Sequence, residues 1–176
     1  MSYKIFTCCT VALLLGMMLG TLPRPMHITA SQDLTPTQYA GLHDRFEKAK
    51  KLFDENDLDS AYKEFHRLRV EFEGIKDWES YLRSSLFIAD IHRAKRDQDS
   101  AFYYLNNAMT NARERFSDKN LIFAEINHKY GVALIDKGSF DEARVFIERA
   151  ISLRTQPGLP PDSSLSLSYN SLGNIF

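Results

Sequence analysis

The side chains able to do chemistry are few, and their spacing argues against most of it. Histidine occurs at His27, His43, His66, His92 and His128. None pairs with another at the His-Glu-x-x-His spacing that puts two imidazoles on one helix face around zinc. His92 falls where an inward-facing residue is expected, so a packed imidazole is the simpler reading, and His128 falls on an outward face. Cys8 and Cys9 are the only cysteines. Residues 31–176 therefore offer neither a disulfide framework nor a thiolate metal site. The run Asp54-Glu55-Asn56-Asp57-Leu58-Asp59 has the oxygen donors of a calcium loop but lacks its central Gly and closing Glu, and it reads as a polar turn. Ser163, Ser164 and Ser166 have no base nearby, no Gly-rich phosphate loop occurs, and Asp90 and Asp136 read as surface charges. No catalytic residue, cofactor or metal is expected, so function has to come from a surface.

Composition narrows the kind of surface. Of 176 residues, 44% are hydrophobic, enough to bury a core, and 22 Lys and Arg stand against 23 Asp and Glu for a formal charge of −1. That balance gives no general attraction for nucleic acid or anionic lipid. Residues 1–30 have the layout of an export signal: Lys4 as a short basic start, Ile5 to Leu19 as an apolar run, and Ile28-Thr29-Ala30 as a cleavage site. The run Ile5 to Leu22 also approaches the roughly 20 residues that span a bilayer, so an uncleaved anchor is the alternative. Arg24 just after it gives no charge asymmetry to orient the chain. Lipid attachment does not fit, because Cys8 and Cys9 precede most of the apolar run. The protein is expected to be exported, periplasmic or extracellular, or held in the inner membrane through residues 5–22.

After a linker at 31–34, residues 35–176 read as helix throughout, with no useful run of period two. Thr35, Pro36 and Gln38 form a helix start with a reciprocal cap. The first helix is expected to run to Asp54, and the next from Leu58 to about Phe72. Two more run from Trp78 to Lys95 and from Gln98 to Phe116. A third pair spans Asn120 to Lys137 and Phe140 to Arg154, and an incomplete last helix carries Tyr169 and Leu172. The stretch Asn127 to Leu153 is the most informative. Gly131, Ala143 and Ala150 are small residues among large apolar ones at helical spacing, so two antiparallel helices can approach closely. Tyr130, Leu134, Phe140 and Ile147 are expected to fill the space beside them. Gly138 suits the left-handed end of the first helix, and Ser139 with Glu142 forms a capping box for the second.

This stretch resembles a tetratricopeptide repeat, with Tyr130, Gly131, Leu134, Gly138, Phe140, Ala143, Ile147 and Ala150 on the family's pattern. Ala89, His92, Ala101, Leu105 and Ala108 repeat the spacing, with Arg96 and Gln98 in place of the turn Gly and aromatic. Ala49, Leu52, Leu58, Ala61, Phe65 and Leu68 repeat it again. Ala61 to Ala101 is 40 residues, while Ala101 to Ala143 and Gly131 to Gly173 are each 42. The family's unit is about 34, and the longer period resembles kinesin light chains and bacterial signalling and protease-associated arrays. The resemblance implies an all-α, right-handed solenoid of about three and a half repeats, near 36–73, 77–116, 119–154 and 162–176. Such arrays need polar caps at their ends. Tyr169, Leu172 and Phe176 lack one, so the sequence is expected to be the amino-terminal part of a longer protein.

By register with the family, the groove formed by the first helix of each repeat carries Phe46, Lys50 and Phe53, then Arg83, Leu86, Asp90 and Arg93. Further on it carries His128, Val132 and Ile135, and finally Asn170 and Asn174. Apolar anchors among charges and amides suit a protein or peptide partner, extended or helical. Capture of a carboxylate in the groove is not implied, since only Lys50 is near such a role and Glu125 stands where a cation is needed. The expected function is a non-enzymatic interaction scaffold. The alternative is a sensory or recruiting front end for a histidine kinase, a DNA-binding regulator or a caspase-like peptidase.

Overall fold

The computed structural model describes residues 35–118, 120–158 and 162–176. The leader and the linker lie outside the described residues. Among the described residues seven helices follow one another: α1 Pro36–Asp54, α2 Leu58–Gly74, α3 Trp78–Ala94, α4 Gln98–Arg115, α5 Ile122–Lys137, α6 Phe140–Arg154 and α7 Leu165–Gly173. No strand occurs among the described residues. Each helix packs against the next in the chain, and α3 also packs directly against α5. That neighbour-only pattern is an α-solenoid, in which each helix pair buries its apolar face against the pair beside it.

Local signals account for the helix ends. Thr35 caps α1 through its hydroxyl while the Gln38 side chain reaches back to the Thr35 N–H at 2.9 Å, and Pro36 opens the helix. Four tight turns then share one construction. The N–H of Asp57, Asp77, Asp97 and Ser139 each bonds the carbonyl five residues earlier at 2.9–3.0 Å. The residue before each takes the left-handed conformation: Asn56 at φ 62°, Lys76 at 61°, Arg96 at 62° and Gly138 at 81°. This is the double-bonded helix end that satisfies orphan carbonyls. In the first three turns the same Asp then caps the following helix, accepting from the N–H of Ser60, Ser80 or Ser100 at 3.1–3.2 Å. The pattern Asp, any residue, acid, Ser thus recurs at Asp57, Asp77 and Asp97, marking every turn of the first four helices.

Ser139 departs from expectation. It makes no side-chain cap bond. Its N–H is already committed to Leu134, which leaves the exposed Glu142 nothing to reach back to. The capping box with Glu142 is not formed.

Two contacts hold the stack. Around α1, α2 and α3, Phe65 lies parallel to Phe87 at 4.7 Å, and Phe46 meets both edge-on at 5.4 and 5.7 Å. Between α5 and α6 the backbones nearly touch. A Cβ on Gly131 would stand 2.5 Å from Cδ1 of Ile147 and 3.1 Å from the carbonyl oxygen of Ala143. Tyr130 stacks there on Phe146 at 4.5 Å. Phe140, expected in this contact, opens α6 and stays 47% exposed.

Two stability predictions follow from this geometry. Gly131→Ala should lower the unfolding free energy by about 1–3 kcal/mol through overpacking, and adding Ile147→Val should recover part of it; equal urea midpoints for wild type and Gly131→Ala contradict the contact. A left-handed non-Gly residue costs about 1–2 kcal/mol, so Lys76→Gly should raise stability by about 1 kcal/mol net of chain entropy. A fall on that substitution rules out strain at the turn.

Candidate partner-binding face

The first helices α1, α3, α5 and α7 form a row, and side chains link each to the next. Phe46 and Phe53 of α1 meet Phe87 of α3 edge-on at 5.7 and 5.8 Å. Between α3 and α5, Asp90 is ion-paired with Lys129, both nearly buried. Arg93 donates to Asp136 at 2.7 Å and lies 3.5 Å from Asp90. Arg83 bridges Glu79 of its own helix at 2.8 Å and Glu125 of α5 at 3.5 Å. Between α5 and α7, the Ser168 hydroxyl lies 3.1 Å from Nδ1 of His128. Arg154 of α6 completes that junction, donating to Ser168 at 2.6 Å and to Asp162 at 2.7 Å.

At the His128 junction Arg154 donates to the Ser168 oxygen, whose second lone pair and own proton let it pair with Nδ1 of His128 in either tautomer. Burial, then the cations of Arg154 and Lys129, push the His128 imidazole down to about 4 against the opposing pull of Asp90. Burial raises the Asp162 carboxyl, but the Ser164 N–H and Arg154 outweigh it and hold it below the ordinary value.

The expected groove residues divide into three groups. Two are corrected. Leu86 is fully buried and Phe46 is 8% exposed, and both belong to the core. The inner stripe of α3 runs Arg83, Phe87, Asp90, one position on from Leu86, and each position is about 100° around the helix. Phe87 closes over Phe46 from that stripe. In the second group, Lys50, Arg83, Asp90, Arg93 and His128 are engaged within the protein, Lys50 with Glu47 at 2.8 Å. In the third, Phe53, Val132 and Ile135 are half-buried, while Asn170 on α7 and Asn174 at its C-terminal cap are exposed. Lys129, Arg154 and Ser168 were not foreseen. A usable signal existed: Asp90 to Lys129, Arg93 to Asp136 and His128 to Ser168 are separated by 39, 43 and 40 positions, about one repeat each.

Among the described residues, no group of three or more His, Cys, Asp or Glu side chains is placed to hold a metal ion. No described helix is long and apolar enough to cross a membrane. No protein-family model matches the chain, and no curated protein does. Among solved structures, it is similar to the crystal structure of BtubC (BKLC) from P. vanneervenii, with a TM-score of 0.62 and 19% identity over 76% of this chain. The match spans 54% of BtubC. At that identity the likeness is one of fold: the protein is an α-solenoid of tetratricopeptide-like helical repeats.

The His128 junction makes stability depend on pH in a defined window. An unfolded histidine takes up a proton near pH 6.5, whereas folded His128 resists protonation until about 4. Stability should therefore fall as pH drops from 6.5 toward 4. His128→Gln cannot bind that proton, so its melting temperature should change less across this window than the wild type's. Parallel melting curves from pH 7.5 to 4.5 would show that His128 is not the titrating group.

Proposed function

We propose that the protein is a non-enzymatic scaffold that binds a segment of another protein along the row of α1, α3, α5 and α7. One observation carries this reading. The charges named on α3 and α5 are paired between those helices and Lys50 pairs with Glu47 within α1, while Phe53, Val132 and Ile135 stay half-open and Asn170 and Asn174 stay exposed. A surface whose charges are internally satisfied selects for apolar side chains, with amides available to backbone groups of an extended or helical ligand. A weakly charged apolar segment fits it better than a strongly acidic or basic one. The leader pattern of residues 1–30, with Lys4 before its apolar run, supports placing this activity outside the cytoplasm.

The test is selection of peptides from a random library on the whole chain, followed by binding to a variant carrying Phe53→Ser and Ile135→Ser. The expected peptides are apolar and nearly neutral, and lose at least about tenfold in affinity for the variant, equal to about 1.4 kcal/mol, with helical content unchanged. Peptides that are mainly charged, or that bind both proteins alike, would reject the assignment.

A further inference from the structure

A cavity of about 280 Å³ lies where the end of α4, the start of α5 and the end of α6 meet. Its lining includes Phe123 and Asn127 of α5 but none of the partner-face side chains named above. Arg113 and Arg149 both line it, and neither forms an ion pair among the described residues. Every other arginine of α3 to α6 except Arg96 does. Asp118 also lines the cavity but pairs with neither, so the site carries a net charge of about +1, suited to a monoanion rather than a phosphate dianion. Asn127 reaches it from α5. That side chain is 2% exposed and donates to the Phe123 carbonyl at 2.6 Å. Its oxygen has no partner among the described residues, which leaves a nearly buried acceptor at the cavity. The remaining wall is formed by the apolar Met109, Phe123 and Leu153 together with the polar Gln156.

We propose that this cavity binds an apolar residue by its α-carboxylate. The guanidinium groups of Arg113 and Arg149 take the carboxylate, for which the planar fork is matched. The Asn127 oxygen accepts the N–H on the neighbouring α-carbon, and Met109, Phe123 and Leu153 surround the side chain. Two sources present this chemistry: the last residue of a protein chain and a free amino acid. The competing explanation is that Arg113 and Arg149 only offset the negative ends of α4 and α6. That explanation does not account for the open Asn127 acceptor or the apolar wall, and it demands no ligand.

Calorimetric titration of the full chain decides between them. N-acetyl-leucine, which mimics a chain end, should bind saturably, and N-acetyl-leucinamide, which lacks the carboxylate, should bind at least about tenfold more weakly. Loss of one hydrogen bond to a charged group costs at least that. Arg113→Ala and Arg149→Ala, both at exposed positions, should each weaken N-acetyl-leucine similarly with unchanged circular dichroism. The Phe53→Ser and Ile135→Ser variant should bind it normally, which separates this site from the row. Free leucine binding as tightly as N-acetyl-leucine assigns the site to amino acids, and its exclusion assigns it to chain ends; either result upholds the carboxylate site. Absence of saturable binding at millimolar N-acetyl-leucine, equal binding of the amide, equal binding of inorganic phosphate, or indifference to both arginine substitutions overturns it.

Discussion

A helix pair with one apolar face cannot bury that face by itself, and every feature of this protein answers to that constraint. The pairs bury it against one another, so the stack is only as good as its closest approaches. Gly131 supplies the tightest, with no room for even a methyl group before Ile147. At the other end, Phe46 and Phe53 of α1 and Phe65 of α2 interlock around Phe87 of α3. Between these contacts the turns set helix direction. Each uses one left-handed residue and, in three of four cases, one Asp that ends a helix and begins the next. The strain accepted at Asn56, Lys76 and Arg96 is the cost of so short a connection.

Polar groups inside the stack follow the same logic. Ser84 and Ser85 sit in the middle of α3, buried, and hand their protons to the carbonyls one turn back. The buried charges Asp90 and Arg154 are made tolerable by partners on neighbouring segments, Lys129 for the first and Asp162 with Ser168 for the second. The Arg154 cluster lets α7, only 9 residues long, dock on α5 and α6 through directed hydrogen bonds as well as apolar area.

Most of the helical order was legible because the period of 3.6 and the caps agree. Thr35 with Gln38 formed as expected, and the expected ends at Phe72, Lys95, Phe116 and Asn120 moved by only one or two residues. The turns at Lys76 and Arg96 were harder, because the usual glycine signal is missing and a lysine or arginine carries the positive φ. The recurring Asp and Ser were the readable mark instead. On the partner face the difficulty was rotational. Assigning Leu86 rather than Phe87 is an error of one residue, yet it turns the stripe by about 100° and exchanges a core side chain for an inner one. Register also cannot tell an open charge from a paired one, since the partner lies on another helix a repeat away.

Those cross-helix pairs have a consequence for how such a molecule can grow. Lys129 and Asp136 occupy the places that Phe87 and Ala94 hold one unit earlier. A duplicated copy of the second unit laid beside itself would set Asp90 against a phenylalanine and Arg93 against an alanine. Asp90 and Arg93 would then keep only each other, at 3.5 Å, and the larger penalty would fall on the nearly buried Asp90, which loses Lys129. The units are alike in shape but not interchangeable in position, and their order along the chain is written in complementary charge.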